Sequence, residues 1–123
     1  MPSRRLSQEE RLYRGLKEAS VQLTLTDLAA ALGGLSHHET DSRRTHRGWP
    51  DLAMPIPSPP GRPPGHGTLW VIECKKELEQ LEPPQLVWAE AVQGCNRVEY
   101  RLARPSNLTA IVAEIVAASG RGI

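Results

Sequence analysis

The sequence has no phenylalanine, and aromatic residues make up only 4% of its 123 residues. A core without Phe has to be packed from Leu, Val, Ile and Ala, together with three Trp. Cysteine is scarce as well, because the chain holds only Cys74 and Cys95. Two cysteines do not make a disulfide scaffold, so a reduced, intracellular chain is the simpler interpretation.

Long apolar runs and a strong net charge are also missing. No run approaches the ~18 residues that a transmembrane helix requires, and the N-terminus has no apolar signal core. We therefore expect a cytoplasmic protein that has no membrane partner. The net charge is only +1, so any contact with nucleic acid must come from local clusters of basic residues.

The length suits one domain with a sizeable core. We expect a single domain over residues 1–123, with a basic tail at residues 1–6. Periodicity and turn signals predict strands over residues 35–40, 50–54, 68–76 and 97–103, and helices that begin near residues 7, 83 and 105. The resulting order, α-β-β-β-α-β-α, is typical of an α/β layer fold.

The first predicted helix carries two apolar stripes on opposite sides. One stripe holds Leu12, Leu16, Ala19 and Leu23, and the other holds Val21, Leu25, Leu28 and Leu32. Either the chain bends near Gly15, or one long helix is covered on both sides. In the second case a partner subunit would supply one of the covers, and this is the only hint of a dimer in the pattern itself.

A pair of charges at the end of an apolar segment is the most unusual feature. Residues 69–72 are apolar on both sides, which indicates an interior strand. Because alternate strand residues share a face, Glu73 and Lys75 lie together and Cys74 points away. Charged groups that leave water must be paired or must hold a metal. A Glu–Lys surface pair at a fraying strand end is the alternative.

Asp51 offers a second carboxylate for the same place. It opens another short apolar segment, after Gly48 and Pro50. If Asp51 lies beside Glu73 and Lys75, two carboxylates and an amine meet. Magnesium prefers oxygen ligands of this kind, with water completing its shell. Such an ion can activate a water that the lysine orients.

Basic residues and histidines lie just before Asp51. Arg43, Arg44 and Arg47 suit a phosphate clamp, because guanidinium forks match phosphate oxygens, although such a run is also typical of a solvated loop. His37 and His38 are neighbours on a predicted strand and point to opposite faces, so they do not easily share a zinc ion.

Residues 55–67 form a proline-rich segment. Such a segment favours extended polyproline-like structure and cannot build a regular sheet ladder. We expect an elongated hairpin loop between the two strands that carry Asp51 and Glu73. Recruitment of a partner with a proline-binding groove is the alternative.

Taken in order, these motifs resemble the VRR-NUC branch, the virus-type replication-repair nucleases, of the PD-(D/E)xK nuclease superfamily. The resemblance runs from about residue 17 to residue 108. An E-x-K motif alone is weak, but the ordered set is specific, and the proline-rich segment is longer than the turn usual in the family. The matching residues are Glu18 and Gln22, His38, Asp41-Ser42-Arg43-Arg44, Gly48-Trp49-Pro50-Asp51-Leu52, Glu73-Cys74-Lys75, and Pro84-Gln85 with Trp88.

The resemblance implies a restriction-endonuclease-like core, in which helices flank a mixed central sheet. It also implies an endonuclease that uses Mg²⁺ or Mn²⁺ to hydrolyse phosphodiester bonds in DNA. Asp51, Glu73 and the backbone carbonyl of Cys74 would hold the metal. Glu18 would complete the shell, either directly or through water.

The remaining site residues also take their roles from the resemblance. Lys75 would position or help to deprotonate the attacking water, and Gln85 would assist. Arg43, Arg44 and Arg47 would bind the DNA backbone. Stand-alone members resemble Holliday-junction resolvases, which implies branched DNA as substrate, a homodimer, and phage origin with action in a bacterial host cell.

Two other functions use the same residues differently. The domain could be a non-catalytic module that binds DNA or a replication protein, with the proline-rich segment as the contact. It could also be a metal-dependent hydrolase of a small phosphoester. A binding module would retain DNA affinity and yield no magnesium-dependent product.

Overall fold

In a computed structural model, the structure describes residues 18–39, 48–58, 61 and 67–120. The elements are α1 (Glu18–Ala31), β1 (His37–His38), β2 (Leu52–Ile56), β3 (Thr68–Cys74), α2 (Pro83–Gln93), β4 (Val98–Ala103) and α3 (Leu108–Ser119), with a 3-10 turn at Pro105–Asn107 before α3. This order is the one that the sequence patterns predict.

The four strands form one mixed sheet in the order β1-β2-β3-β4. The β1–β2 and β2–β3 pairs are antiparallel, whereas β3 and β4 are parallel and α2 forms the crossover between them. The interior position of β3 explains why its apolar run is uninterrupted, because Trp70, Val71 and Ile72 are all buried.

The main core lies on one face of the sheet, under α1 and α3. Its strand residues alternate, so that every second side chain of β2 and β3 enters it. The buried cluster comprises Val21, Leu25, Ala29 and Leu32 of α1, Leu52, Met54 and Ile56 of β2, Trp70, Ile72 and Cys74 of β3, Ala103 of β4, and Ile111 and Ile115 of α3. Of the two apolar stripes in the first predicted helix, the one at residues 21, 25, 28 and 32 therefore packs on the sheet.

Helix α2 covers the opposite face. Its residue Gln85 contacts Glu73, and Glu73 points away from the core that receives Ile72 and Cys74. The helix begins with prolines at its first positions, where a missing N–H costs nothing, and ends at Gly94. The molecule is thus a helix–sheet–helix sandwich, which confirms the α/β fold class.

Several predicted boundaries differ from the structure. Strand β2 runs from residue 52 to 56 rather than from 50 to 54, and β3 ends at Cys74 rather than at residue 76. The last helix begins with a 3-10 turn. The predicted helix that begins near residue 7 is described only from Glu18.

The prediction of a proline-rich loop over residues 55–67 was wrong at its start. Pro55 and Ile56 belong to β2 and pair with Leu69 and Thr68. Pro55 fits because its carbonyl accepts the Leu35 amide at 3.1 Å, on the side of β1 but ahead of that strand's first residue, His37. The missing N–H faces that same side, so the ladder with β3 loses no hydrogen bond.

None of the helices in the described ranges combines the length and the apolar character that a membrane-spanning segment needs.

Candidate active site

Asp51 lies at the bend that leads into β2. Its backbone carbonyl accepts the Glu39 amide at 2.9 Å, just beyond β1. Its side-chain Oδ2 accepts the backbone amide of Cys74 at 2.8 Å. Leu52 pairs with Ile72, and the same register continued by one residue sets Asp51 opposite Glu73. Opposite residues of antiparallel strands share a face, so both carboxylates lie at the same edge and on the same side.

The segment before Asp51 is held in place by α2. Gly48 has φ +89°, and a Cβ there would lie 2.4 Å from the carbonyl carbon of Pro84 and 2.8 Å from the Gln85 nitrogen. Only glycine permits both this conformation and this approach. Trp49 then meets Trp88 edge-on, with ring centroids 4.9 Å apart and planes at 87°. The glycine and tryptophan of the motif therefore fix where Asp51 enters the sheet.

Glu73 is a buried carboxylate, and only 3% of the residue is exposed. Its Oε1 accepts a hydrogen bond from Nε2 of Gln85 at 3.2 Å and lies 3.9 Å from Nζ of Lys75. A carboxylate is buried at acceptable cost only when such partners surround it. The charged strand end is thus an internal site rather than a frayed surface pair.

Gln85 is oriented by the start of its own helix. Its Oε1 accepts the backbone amide of Glu82 at 2.8 Å, which directs the amide nitrogen to Glu73. Lys75 is also buried, with 7% of the residue exposed. Its ammonium group shares the face of Glu73, as the alternation of β3 predicts, while the Cys74 side chain enters the core.

Tyr100 is a member of the site that the sequence patterns do not identify. It pairs with Val71 in the parallel β3–β4 register, which places it on the face of Glu73. Burial, followed by the charges of Glu73 and then Asp51, raises the pKa of Tyr100 from 10.0 to about 12. The only sequence signal is a strand residue with a polar tip among Val98 and Leu102, and its neighbour on β3 depends on a register that spacing does not reveal.

The donor set suits a small hard cation. Mg²⁺ is commonly held by one or two carboxylates and several waters, and the described residues provide two carboxylates at one sheet edge. Within ranges 18–39, 48–58, 61 and 67–120, no group of three or more His, Cys, Asp and Glu side chains is placed to hold a metal. His37 instead lies 3.8 Å from Glu39, on the exposed edge strand.

The structure brings together Asp51, Glu73, Lys75 and Gln85 of the predicted site. The backbone of Glu18 begins α1, but the description does not extend to its side chain. The predicted phosphate-binding residues Arg43, Arg44 and Arg47 lie outside the described residues.

Comparison with known proteins bears on the fold. No family model matches the sequence, and no curated protein matches it either. Among solved structures, one described as a "VRR_NUC domain" is similar to this chain, with a TM-score of 0.58 and 22% sequence identity. The similar region covers 78% of this chain and 94% of the other. The fold that the resemblance implies is thereby confirmed, and the chain has the fold of a VRR_NUC domain.

Proposed function

We propose that this protein is a nuclease of the PD-(D/E)xK type, a Mg²⁺- or Mn²⁺-dependent endonuclease that hydrolyses phosphodiester bonds in DNA. The observation that supports this function best is the meeting of Asp51, Glu73 and Lys75 at one edge of a VRR_NUC fold. These residues come from two separate strands, and their packing in a water-poor place has no evident use in stability alone.

Asp51, Glu73 and the backbone carbonyl of Cys74 would hold the metal, and Glu18 is proposed to complete the shell directly or through water. A bound Mg²⁺ lowers the pKa of a coordinated water and neutralises charge on a phosphoryl oxygen. The Cys74 amide keeps one Asp51 oxygen in place. The residue that supplies the carbonyl ligand therefore also orients the neighbouring carboxylate.

Lys75 and Gln85 both act on Oε1 of Glu73. The ammonium group of Lys75 is buried beside that carboxylate, where it can orient the attacking water and stabilise charge that develops on the phosphate. The amide of Gln85 donates to Glu73 and holds the carboxylate in one orientation. Arg43, Arg44 and Arg47 are proposed to bind phosphates of the DNA backbone.

We further propose a homodimer that cuts branched DNA in the manner of a Holliday-junction resolvase. Two symmetric sites suit a substrate with two-fold symmetry. The second apolar stripe of α1 supports this arrangement, because Ala19 is exposed and Leu23 is 61% exposed. A partner subunit packed on that stripe would cover it.

Cleavage of a synthetic four-way junction tests the proposed activity. The purified protein should cut the junction when Mg²⁺ is added and should stop when EDTA removes the ion. Asp51→Ala and Glu73→Ala should each lower the cleavage rate by at least about 100-fold, because a group that stabilises the transition state is lost.

The same experiment separates the competing functions. Glu39→Ala is a matched control, since the Glu39 backbone amide donates to the Asp51 carbonyl but the Glu39 carboxylate is assigned no role in the site. Junction binding without any Mg²⁺-dependent product would indicate a binding module instead. If Asp51→Ala and Glu73→Ala both cut the junction as fast as the parent protein, the assigned centre is wrong.

A further inference from the structure

The hydroxyl group of Tyr100 is the one buried side-chain polar atom without a hydrogen-bond partner in the described part of the chain. Such an atom is costly, because a buried donor loses its bonds to water and gains none in return. A Phe at this position would fill the same space without that cost. Packing alone therefore does not explain why this position carries a hydroxyl group.

The surroundings of this hydroxyl are acidic. Tyr100 lies beside Val71 on the face that carries Glu73, and the charges of both Glu73 and Asp51 act on its hydroxyl group. Burial, followed by these two charges, raises its pKa from 10.0 to about 12, so the group is a neutral O–H at neutral pH, as an ordinary phenol is. A neutral O–H on the same face as Glu73, within the electrostatic influence of both carboxylates, is an available donor.

We propose that Tyr100 is a positioning residue of the metal site, whose hydroxyl donates a hydrogen bond to the Asp51–Glu73 carboxylate pair when a divalent ion binds. This inference rests on the proposed function. Carboxylates that bind a metal are themselves held by hydrogen-bond donors, and those donors set their orientation. Gln85 and the Cys74 amide already serve in this way, and Tyr100 is a third donor on the same side.

Calorimetric titration with Mn²⁺ tests the role directly. Tyr100→Phe should bind Mn²⁺ about 10- to 100-fold more weakly than the parent. That is the range typical for loss of a residue that hydrogen-bonds to a metal ligand. Its midpoint of urea unfolding without metal should equal or exceed that of the parent, since the lost hydroxyl has no partner to give up. A purely structural role would produce the reverse pattern, with lower stability and unchanged affinity.

Tyrosine absorbance supplies a second readout that does not depend on the folding of Tyr100→Phe. The chain has two tyrosines, so Tyr13→Phe leaves Tyr100 as the only one. Addition of Mg²⁺ to Tyr13→Phe should shift the near-ultraviolet absorbance of the phenol, because its hydroxyl gains an acceptor. The same titration of Tyr13→Phe combined with Asp51→Asn should show no shift.

The outcomes distinguish this inference from the proposed function. If the parent binds Mn²⁺, Asp51→Asn abolishes binding, and Tyr100→Phe binds as the parent does, the role of Tyr100 is overturned and the metal site stands. If the parent binds no divalent ion, both proposals fail together. Lower stability of Tyr100→Phe with unchanged Mn²⁺ affinity would also overturn the inference.

Discussion

At the scale of single residues, the site consists of two carboxylates that are each held by donor groups nearby in the fold. Glu73 is surrounded by an amide and an ammonium group, and Asp51 by a backbone amide. Each carboxylate therefore has a fixed orientation before any ligand arrives. Pre-organisation of this kind is what allows a polar site to stabilise charge in a transition state.

The ionisation of Tyr100 reports how near the two carboxylates lie to its hydroxyl. In Tyr13→Phe, absorbance at alkaline pH should show a single phenol that ionises near pH 12, provided that circular dichroism shows the protein still folded. Asp51→Asn in that background should lower the pKa, because one of the negative charges that opposes ionisation is removed.

The sign of the accompanying stability change follows from linkage. The folded protein holds the Tyr100 proton more tightly than the unfolded chain does, so ionisation of this phenol opposes folding: it has no effect on stability below pH 10, and stability falls as the pH rises from 10 to about 12. Tyr100→Phe should lack that part of the alkaline destabilisation. An ordinary phenol pKa in the folded Tyr13→Phe protein would contradict the placement of the hydroxyl.

Residue patterns in the sequence predict part of this site. Alternation along β3 places Glu73 and Lys75 on one face and Cys74 on the other, since that depends only on local backbone geometry. The position of Tyr100 beside Val71, on the face of Glu73, depends on the β3–β4 register across the crossover helix. Local patterns do not carry that information.

At the scale of elements, the first turns of α2 hold the segment that precedes Asp51. Gly48 packs on the Pro84–Gln85 peptide and Trp49 on Trp88. Gln85, in the same helical turn, holds Glu73. Helix α2 thus positions both carboxylates, one through the preceding loop and the other through a side chain.

Substitution of Gly48 tests how much its close contact with α2 contributes to stability beyond the strain of its positive φ. Gly48→Ala should lower the free energy of unfolding by at least about 2 kcal/mol, since it combines an unfavourable φ with a clash against backbone atoms of α2. It should also lower the Mg²⁺-dependent cleavage rate, because Asp51 shifts with the loop. Chemical denaturation and the junction assay measure the two effects.

Gly61→Ala is the matched control for that substitution. Gly61 has a similar φ of +85°, but a Cβ there meets nothing within 4 Å. Its substitution should therefore cost only the backbone strain and leave the cleavage rate unchanged. Equal losses of stability in the two variants would mean that the close approach of Gly48 to α2 contributes nothing.

The order of the elements follows from the sequence more readily than their limits do. Prolines at the start of α2 and Gly94 at its end are local signals, and the structure agrees with them. Pro55 misleads because its acceptance in β2 depends on where the neighbouring strand β1 begins. That is a property of the sheet and not of the proline-rich segment.

At the scale of the whole molecule, part of one apolar stripe of α1 is exposed. The stripe of α1 at Val21 and Leu25 is buried under the sheet, whereas Leu23 remains largely exposed. The proposed homodimer would bury this second stripe. Light scattering on a sizing column should then find a dimer, whereas a monomer would favour cutting of flaps, ends or plain duplex.

A charge placed on the open stripe tests this surface. Leu23→Glu should shift the protein from dimer to monomer and should weaken junction cleavage, because an apolar contact is replaced by a buried charge. Leu35→Glu is the control, since Leu35 is 74% exposed and lies outside α1. Manganese affinity should be unchanged in both variants. A dimer that survives Leu23→Glu would exclude this face of α1 as the interface.

A set of four cleavage rates tests most directly whether the two carboxylates form one hydrolytic centre. The proteins are the parent, Asp51→Asn, Glu73→Gln and the double variant, each assayed with Mg²⁺ on the same junction. The effects of substituting residues that act as a unit do not add. The double variant should therefore cut at most a few-fold more slowly than the slower single variant. Retention of the parent rate in either single variant, or a further loss of about 100-fold in the double variant, would contradict a shared centre.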